Sequence, residues 1–175
     1  MKRIEEAMAQ VRTIQDKNEL AGLCKHIELL KPNVILEIGV HYGGTINLWS
    51  KFVVGDDPLI IGVDISYDLT EKSVMNSGFK LVKGDSKDDI TLAEVKRILS
   101  GREVDYLFID GDHLYPSVMN DYVKFLPLVR SGGIIGFHDI VYQTKEAWTE
   151  IKLKHKIFEE FICTDHLGIG IVIKE

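Results

Sequence analysis

The strongest constraint on this chain is an apolar run that reaches an acid and then breaks into glycines. The run is Val34–Ile38, with Glu37 near its end, and Gly39 and Gly43 follow before a helical pattern begins at Thr45. A continuous run of branched apolar residues is typical of a parallel strand that is covered on both faces. Glycines at such a turn let the backbone approach a small molecule at the carboxyl end of the sheet. The pattern therefore predicts a strand, a ligand-binding loop and a helix.

The residues of this loop favour one class of cofactor. A dinucleotide-binding loop needs a bare glycine two positions after its first glycine, but that position is His41. Glu37 is a poor neighbour for a pyrophosphate and a good one for a cation. S-adenosylmethionine carries an ammonium and a sulfonium and has no phosphate, so it suits the loop. A nicotinamide dinucleotide is disfavoured, and a plain strand-to-helix turn is the alternative without a function.

Two further apolar runs also lead into acids. Leu59–Asp64 ends at Asp64, near the distance at which α/β nucleotide-binding folds place a carboxylate against the two ribose hydroxyls. Residues 79–83 form a shorter run before Asp85 and Ser86, whose polar side chains are suited to an adenine edge. Each acid alone could be a loop residue or a helix cap. Three successive runs with the same ending favour a nucleoside site.

A second polar group follows the fourth and fifth predicted strands. After residues 104–109 come Asp110, Asp112 and His113, and after residues 134–137 come His138 and Asp139. Because carboxyl ends of adjacent parallel strands meet at one edge of a sheet, we expect Asp110, His138 and Asp139 to converge. Carboxylates suit Mg²⁺, whereas a histidine ligand shifts the preference toward Mn²⁺, Fe²⁺ or Zn²⁺. The alternative is a loop in which one acid caps the next helix and His138 is a satisfied polar residue.

Helical patterns alternate with these strands. Apolar spacing predicts helices at residues 3–15, 20–30, 45–52, 68–76, 90–100 and 116–129. Such alternation is typical of a doubly wound parallel sheet. The last two β-rich runs, residues 158–164 and 168–174, are too close for a crossover helix and predict an antiparallel hairpin. The 175 residues are predicted to form one domain, in which residues 1–31 are a helical cap.

In order and spacing these motifs resemble those of the class I S-adenosylmethionine-dependent methyltransferases. Within that class they are similar to the catechol O-methyltransferase-like enzymes and to the macrocin and cephalosporin-tailoring O-methyltransferases. The segments that carry the resemblance are residues 37–45, 61–64, 84–86, 107–113 and 132–139. The resemblance implies an α/β, Rossmann-like sheet of seven mostly parallel strands with an antiparallel last strand. It also implies a cofactor at the first three strand ends and chemistry at the fourth and fifth.

The resemblance further implies roles for single residues. The implied cofactor residues are Glu37, Gly39, Gly43, Thr45, Asp64, Asp85, Ser86 and Asp110. The implied metal ligands are Asp110, His138 and Asp139, but the family has an acid pair, or an acid and an amide, where this chain has histidine and aspartate. The need for a metal therefore stays open. In the macrocin-like type the base is the acid at the position of Asp112, which we predict to be the base here. In the catechol type the base stands at the position of His113, which is our second choice.

The implied reaction is attack of a substrate oxygen on the methyl carbon, with S-adenosylhomocysteine leaving. A metal would lower the pKa of that oxygen and align it, and a base would take its proton. We expect an O-methyltransferase for a small hydroxylated molecule, with S-adenosyl-L-methionine and, where a metal is used, Mg²⁺ or another divalent cation. The alternatives are a metal-independent or N-directed methyltransferase and a noncatalytic nucleotide-binding protein. Substrate specificity is expected from the N-terminal helices and from residues 140–157, which include Tyr142 and Trp148.

Composition narrows the partners and the compartment. The formal net charge of −6 argues against binding to a phosphate backbone, which needs a basic face. No apolar run approaches the length of about 18 residues that a membrane span needs. The two cysteines, Cys24 and Cys163, suit a reduced cytoplasmic protein better than a disulfide framework. We expect a small-molecule substrate and no nucleic-acid or membrane partner, and the sequence leaves open whether the chain forms a homo-oligomer.

Overall fold

The computed structural model describes residues 1–66, 79–163 and 167–175. Its strands are β1 (Val34–Ile38), β2 (Leu59–Asp64), β3 (Lys80–Lys83), β4 (Val104–Ile109), β5 (Val129–His138), β6 (Phe158–Phe161) and β7 (Ile169–Ile173). Its helices are α1 (Lys2–Gln10), α2 (Lys17–Leu30), α3 (Gly44–Trp49), α4 (Asp89–Leu99), α5 (Tyr115–Phe125) and α6 (Lys145–Lys152), with a 3₁₀ turn at Leu126–Leu128. Within these described ranges, none of the helices has the length and apolar character that crossing a bilayer requires. The helix predicted at residues 68–76 and most of the predicted hairpin turn lie outside the described residues.

The described strands form one seven-stranded sheet in the order β3-β2-β1-β4-β5-β7-β6. Strands β1 to β5 pair in parallel, whereas β7 is antiparallel to both β5 and β6. The predicted sheet with an antiparallel last strand and a C-terminal hairpin is therefore confirmed. The strand order reverses between β1 and β4, and open α/β sheets bind ligands in the crevice at the carboxyl ends of the strands on either side of such a reversal.

The hydrophobic core covers both faces of this sheet. Leu36 and Ile38 of β1 belong to a cluster that includes side chains of α4, α5 and α6. Ile35 of the same strand belongs to a second cluster with side chains of α1, α2 and α3. All five residues of β1 are buried, and each apolar side chain buried in this way contributes about 1.5–3 kcal/mol. Only the ends of β1 are left for contact with a ligand.

The cap at the N-terminus departs from its prediction in one segment. Helix α1 stops at Gln10, and Val11 is extended, with φ −135° and its side chain buried. Helix α2 begins after Asp16, whose carboxylate accepts the backbone N–H of Asn18 at 2.7 Å. Residues 11–16 are therefore an irregular connection, not the end of a helix that reaches residue 15. Burial of Val11 outweighs the helical pattern there.

Helix α5 is shorter than predicted. The helical pattern extends to residue 129, but the α-helix stops at Phe125 and gives way to the 3₁₀ turn. Leu126 keeps helical backbone, with φ −49° and ψ −42°, but Pro127 has no N–H to continue the α-helical hydrogen bonds, and its ring crowds the carbonyl one turn earlier. Strand β5 then starts at Val129, five residues before the run that the sequence suggested.

A buried carboxylate ties the cap to the C-terminal hairpin. Glu19 of α2 is fully buried, and its oxygens accept the backbone N–H of Cys163 at 2.9 Å and that of Gly168 at 3.0 Å. These two residues flank the connection between β6 and β7. An N–H that is buried without an acceptor costs about 1–3 kcal/mol, so Glu19 stabilises both the hairpin and the position of α2.

Glu19→Ala should lower the free energy of unfolding by about 2–4 kcal/mol, because two N–H groups lose their acceptor and a cavity remains. Glu19→Gln keeps one acceptor oxygen and should lose less. Urea denaturation followed by circular dichroism measures both, with the exposed Asn18→Ala as control. A loss below about 0.5 kcal/mol for Glu19→Ala would contradict the anchoring role.

Candidate cofactor and catalytic site

Gly39 brings the ends of β1 and β4 into contact. Its φ of +90° lies in the left-handed region, and a Cβ at this position would lie 2.1 Å from the carbonyl oxygen of Asp110. The backbone N–H of Asp110 donates to the carbonyl of Ile38 at 2.8 Å, which continues the pairing of the two strands. Any side chain at residue 39 is excluded by conformation and by space. The backbone there is therefore bare at the point where the strand order reverses.

Asp64, at the end of β2, holds the loop that follows β1. One carboxylate oxygen accepts the backbone N–H of Val40 at 2.7 Å and that of His41 at 2.8 Å, and the other accepts the N–H of Ser66 at 2.9 Å. His41 has a φ of +46°, and Gly43, at +78°, leads into α3. The acid predicted to meet the ribose hydroxyls thus also orders the loop.

Glu37 lies beneath this loop. Its side chain is fully buried, and its oxygens accept the hydroxyl of Thr45 and the indole N–H of Trp49. Burial raises the pKa of Glu37 well above its usual value, and the carboxylates of Asp110 and Asp64 act in the same direction. Glu37 lines neither of the cavities described next and has a supporting position under the loop, so its contact with a cofactor stays a prediction.

Two cavities meet over Gly39. The first has a volume of about 230 Å³ and the second about 390 Å³, and both are lined by Gly39, His41, Asp110 and Gly111. Gly43 lines neither of them. The predicted cofactor residues on the two walls are Gly39, Thr45, Asp64, Asp85, Ser86 and Asp110. One crevice therefore runs across the carboxyl ends of β1, β2 and β4.

Four side chains from the ends of β4 and β5 cluster in the first cavity, and we call them the imidazole–carboxylate cluster: Asp110, His113, His138 and Asp139. Nδ1 of His138 lies 3.0 Å from Oδ1 of Asp110. Nδ1 of His113 lies 2.7 Å from Oδ2 of Asp139, and its Nε2 lies 3.4 Å from Oδ1 of Asp110. The structure thus brings together the three predicted metal ligands and adds His113 to them.

Members of the cluster stabilise one another in charged forms. Burial alone would raise the pKa of Asp110, but the charge of His138 and the hydrogen bond of His113 outweigh it and hold that pKa below its usual value. Hydrogen bonds to Asp110 and Asp139 raise the pKa of His113 to about 10. Burial opposes a proton on His138, yet Asp110 raises the pKa of His138 as well. At neutral pH a protonated His113 therefore bridges two carboxylates.

The cluster also has unsatisfied atoms. Among the described residues, Nε2 of His138 and Oδ1 of Asp139 are buried without a hydrogen-bond partner. Asp139 has a φ of +57°, a strained conformation for this residue type, beside a strand end that Thr144 holds by donating to the carbonyl of His138 at 2.8 Å. Asp110, His113 and His138 each offer a ligand atom, all within 4.8 Å of one another. Unpaired buried atoms are costly, so the donor set fits a divalent cation.

Asp112 lies apart from the cluster. Its carboxylate accepts the hydroxyl of Ser117 at 2.6 Å and the backbone N–H of Leu114 at 3.2 Å, and Lys87 lies 3.4 Å away. The hydrogen bond from Ser117 lowers the pKa of Asp112 despite slight burial. These contacts hold the turn just before α5, whose N-cap is Leu114 and has no side-chain cap, so Asp112 is not a helix cap in the strict sense. A carboxylate with a lowered pKa is a weak proton acceptor.

The connection at residues 11–16 borders the first cavity, which nothing in its sequence predicted. Arg12, Thr13, Ile14 and Gln15 all line that cavity. The side-chain amide of Gln15 donates to Oδ2 of Asp110. A polar side chain in an irregular stretch between two helices carries no periodic signal, so only the fold could place it there.

The two aromatic residues singled out in residues 140–157 differ in exposure: Trp148 is buried and Tyr142 is exposed. Trp148 is 2% exposed, and its indole N–H donates to Glu160 at 2.6 Å. Tyr142 is 71% exposed and lines an open groove of about 580 Å³ that continues from His113. Stacking on a substrate ring is therefore excluded for Trp148 and available to Tyr142.

Comparison with known proteins agrees with this geometry. A family model described as a methyltransferase domain matches residues 36–140. An uncharacterized protein of Acanthamoeba polyphaga mimivirus is 31% identical over 112 residues, which cover 59% of this chain and 50% of that protein. The chain thus spans about half the length of this curated relative.

Solved structures show the same fold. An O-methyltransferase from Bacillus cereus, in complex with S-adenosylhomocysteine, has a TM-score of 0.66 at 16% identity. The match covers 99% of this chain and 91% of that one. The MycE methyltransferase from the mycinamycin biosynthetic pathway, with Mg and S-adenosylhomocysteine, has a TM-score of 0.62 at 21% identity, and the match covers 88% of this chain and 48% of that one. Identities this low establish the fold alone.

The raised pKa of Glu37 predicts how stability depends on pH. The folded chain keeps the proton of Glu37, whereas the unfolded chain loses it above a pH of about 4.3. The free energy of unfolding should therefore fall as the pH rises from that value toward the raised pKa. Glu37→Gln keeps the shape without the charge, so its stability relative to wild type should be higher at pH of about 8 than at about 5.

Urea denaturation at the two pH values tests this prediction. Glu37→Ala serves as the comparison, because it leaves Thr45 and Trp49 without their partner and should lose about 2–4 kcal/mol at a pH of about 5. Since it also lacks the carboxyl, its loss relative to wild type should shrink at a pH of about 8 by the same amount as the shift seen for Glu37→Gln. A difference between Glu37→Gln and wild type that does not vary with pH would show that Glu37 ionises near its usual pKa.

Proposed function

This chain belongs to the methyltransferase domain family, and we propose that it transfers the methyl group of S-adenosylmethionine to an oxygen of a small hydroxylated molecule. The observation that carries this proposal is the pair of joined cavities over Gly39. Asp64 and Ser86 border one end of the crevice, and the imidazole–carboxylate cluster borders the other. A cofactor laid across Gly39 would bring its nucleoside to the first group and its sulfonium toward the second.

The charges of the second cavity support a cofactor without phosphate. Among the described residues, its wall carries the acids Asp64, Asp85, Asp110 and Asp112 and one cationic side chain, Lys87. A pyrophosphate would meet net repulsion there, whereas vicinal ribose hydroxyls would find carboxylate acceptors. This balance favours an adenosine with a positively charged sulfur over a nicotinamide dinucleotide.

At the other end, Asp110, His138 and Asp139 are the residues that would hold a divalent cation. Ligand atoms of Asp110 and His138 lie with one of His113 within 4.8 Å of one another, and Asp139 lies beside them, 3.5 Å from Nδ1 of His138. A cation bound there would supply Lewis acidity that lowers the pKa of the acceptor hydroxyl and fixes its position. Imidazole nitrogens beside carboxylates favour Mn²⁺, Fe²⁺ or Zn²⁺ over Mg²⁺. In the described part of the chain, Nε2 of His138 is buried without a hydrogen-bond partner, and Oδ1 of Asp139 has only an ion pair with Nδ1 of His138 at 3.5 Å; both atoms support such a ligand at this place.

His113 suits the role of base better than Asp112. Asp112 is engaged by Ser117 and Lys87, whereas His113 lies inside the cluster at the wall of the first cavity. Asp110 and Asp139 stabilise the proton on His113. If these carboxylates bound a divalent ion, they would stabilise that proton less, and His113 would become a neutral imidazole that can accept a proton. In the transfer the acceptor oxygen bonds to the methyl carbon, the carbon–sulfur bond breaks, and the acceptor proton passes to His113.

A methyltransferase that needs no metal, or that acts on nitrogen, is the second candidate. The ion pairs favour it, because each carboxylate of the cluster already has an imidazole partner. In that case the pair His138 and Asp139 would serve only as base or scaffold. A noncatalytic nucleotide-binding protein would show affinity for the cofactor and no turnover with any acceptor.

Asp64→Ala should weaken binding of S-adenosylhomocysteine at least about tenfold, because the variant loses the ribose acceptor and the loop order that depends on it. Titration calorimetry on the folded chain measures the affinity. The exposed Asp56→Ala, which removes the same charge away from the crevice, should bind like wild type. A flat titration of folded wild-type protein would overturn the cofactor assignment itself.

Chelation of divalent ions should abolish methyl transfer if the cation is part of the site, and Asp139→Ala should copy the effect because it removes one of the ligands. A coupled assay of S-adenosylhomocysteine release with a panel of phenols and sugars measures turnover. Asp89→Ala, at an exposed ion pair with Lys124, is the matched control. Full activity in EDTA would reject the cation and favour the second candidate.

A further inference from the structure

The connection at residues 11–16 is fixed at both ends although it is irregular. Val11 is 1% exposed, and Asp16 caps α2. Between them, the guanidinium of Arg12 lies 4.6 Å from the ring centroid of Tyr42 and donates to its hydroxyl at 3.2 Å. The backbone of residues 11–16 is therefore fixed in place, and its side chains lie beside the first cavity in a restricted set of positions.

The segment also packs closely against the loop that follows β1. A Cβ at Gly44 would lie 2.4 Å from the carbonyl oxygen of Arg12 and 2.5 Å from the hydroxyl of Thr13. The glycine lets the backbone of the segment lie against the start of α3. Gln15 follows two residues after this contact, which places its amide at the imidazole–carboxylate cluster.

Gln15 and the two imidazoles contact different oxygens of the Asp110 carboxylate. The amide of Gln15 donates to Oδ2, whereas Oδ1 lies 3.0 Å from His138 and 3.4 Å from His113. The Asp110 side chain is 9% exposed, so water has little access to replace either contact. Oδ1 is thus the oxygen turned toward the other candidate ligands, and Oδ2 is the oxygen turned toward the segment.

We propose that Gln15 is a positioning residue for the cation site: it holds Oδ2 of Asp110 so that Oδ1 is presented to a divalent ion together with His138 and Asp139. This inference rests on the cation of the proposed function. Carboxylates that bind metals are commonly held by a hydrogen bond from outside the ligand set, and loss of that partner costs about 10–100-fold in metal affinity. The donor comes from the N-terminal segment, so the cap takes part in metal binding.

A competing role for Gln15 predicts the opposite sign. If its amide merely occupied a carboxylate that a cation must take over, removal of the amide would leave affinity for the ion unchanged or make it tighter. If Gln15 positions Asp110, removal must make binding weaker. The direction of the change therefore separates the two roles.

The test is a titration of the full chain with Mn²⁺ alone, followed by the electron paramagnetic resonance of the free ion. Gln15→Leu, similar in size but without the donor, should bind Mn²⁺ about 10–100-fold more weakly than wild type. Asn18→Ala, which removes an exposed amide three residues away, should bind like wild type. Calorimetry with S-adenosylhomocysteine and the melting temperature should show that Gln15→Leu is folded and keeps its nucleoside site.

Each outcome bears on a different claim. Wild-type binding of Mn²⁺ that Asp110→Ala removes, with weakening in Gln15→Leu, supports the positioning role. Unchanged or tighter binding in Gln15→Leu overturns that role and leaves the cation site standing. Wild type that binds no Mn²⁺ overturns the cation of the proposed function and the role of Gln15 with it.

Discussion

The site depends on one steric constraint, the contact between the ends of β1 and β4. Gly39 fits against the carbonyl of Asp110 only because it has no side chain, and the next residues can turn over the sheet only because Asp64 accepts their N–H groups. A bulkier residue at 39 would push the strands apart. The two cavities would then no longer share a floor, and the nucleoside end would be separated from the imidazole–carboxylate cluster.

Acids at neighbouring strand ends would repel one another if all were charged, and the structure handles them differently. Glu37 is buried with two neutral donors, and burial raises its pKa well above the usual value, which favours its uncharged form beneath the crevice. Asp110 is nearly as buried but has two imidazoles within 3.4 Å, so it stays ionised. The local partner, and not depth alone, decides which carboxylate carries the charge.

The sequence predicted where the strands end better than it predicted what single side chains do. Continuous apolar runs such as Val34–Ile38 require a strand covered on both faces, and the spacing of acids after them follows from parallel pairing. The short separation of the last two runs likewise allowed only a hairpin. Direct contact of Glu37 with a cofactor was expected from its position at the strand end, but sequence cannot show that Trp49 and Thr45 reach it first. Gln15 could not be found at all, because its role depends on a segment whose path is set by burial of Val11.

Replacing a carboxylate by His138 changes what binding a cation involves. With an acid in place of His138, the site would hold three carboxylates, would be strongly anionic and would attract a hard ion such as Mg²⁺ directly. Here Asp110 and Asp139 raise the pKa of His113 to about 10 and, with burial opposing, that of His138 as well, so protons already occupy the positions that a metal would need. An ion must displace those protons, and its affinity is then coupled to pH through the ligands it deprotonates. Ion pairs within the cluster balance its charges, and a metal that binds imidazole well would compete best with the proton for these nitrogens.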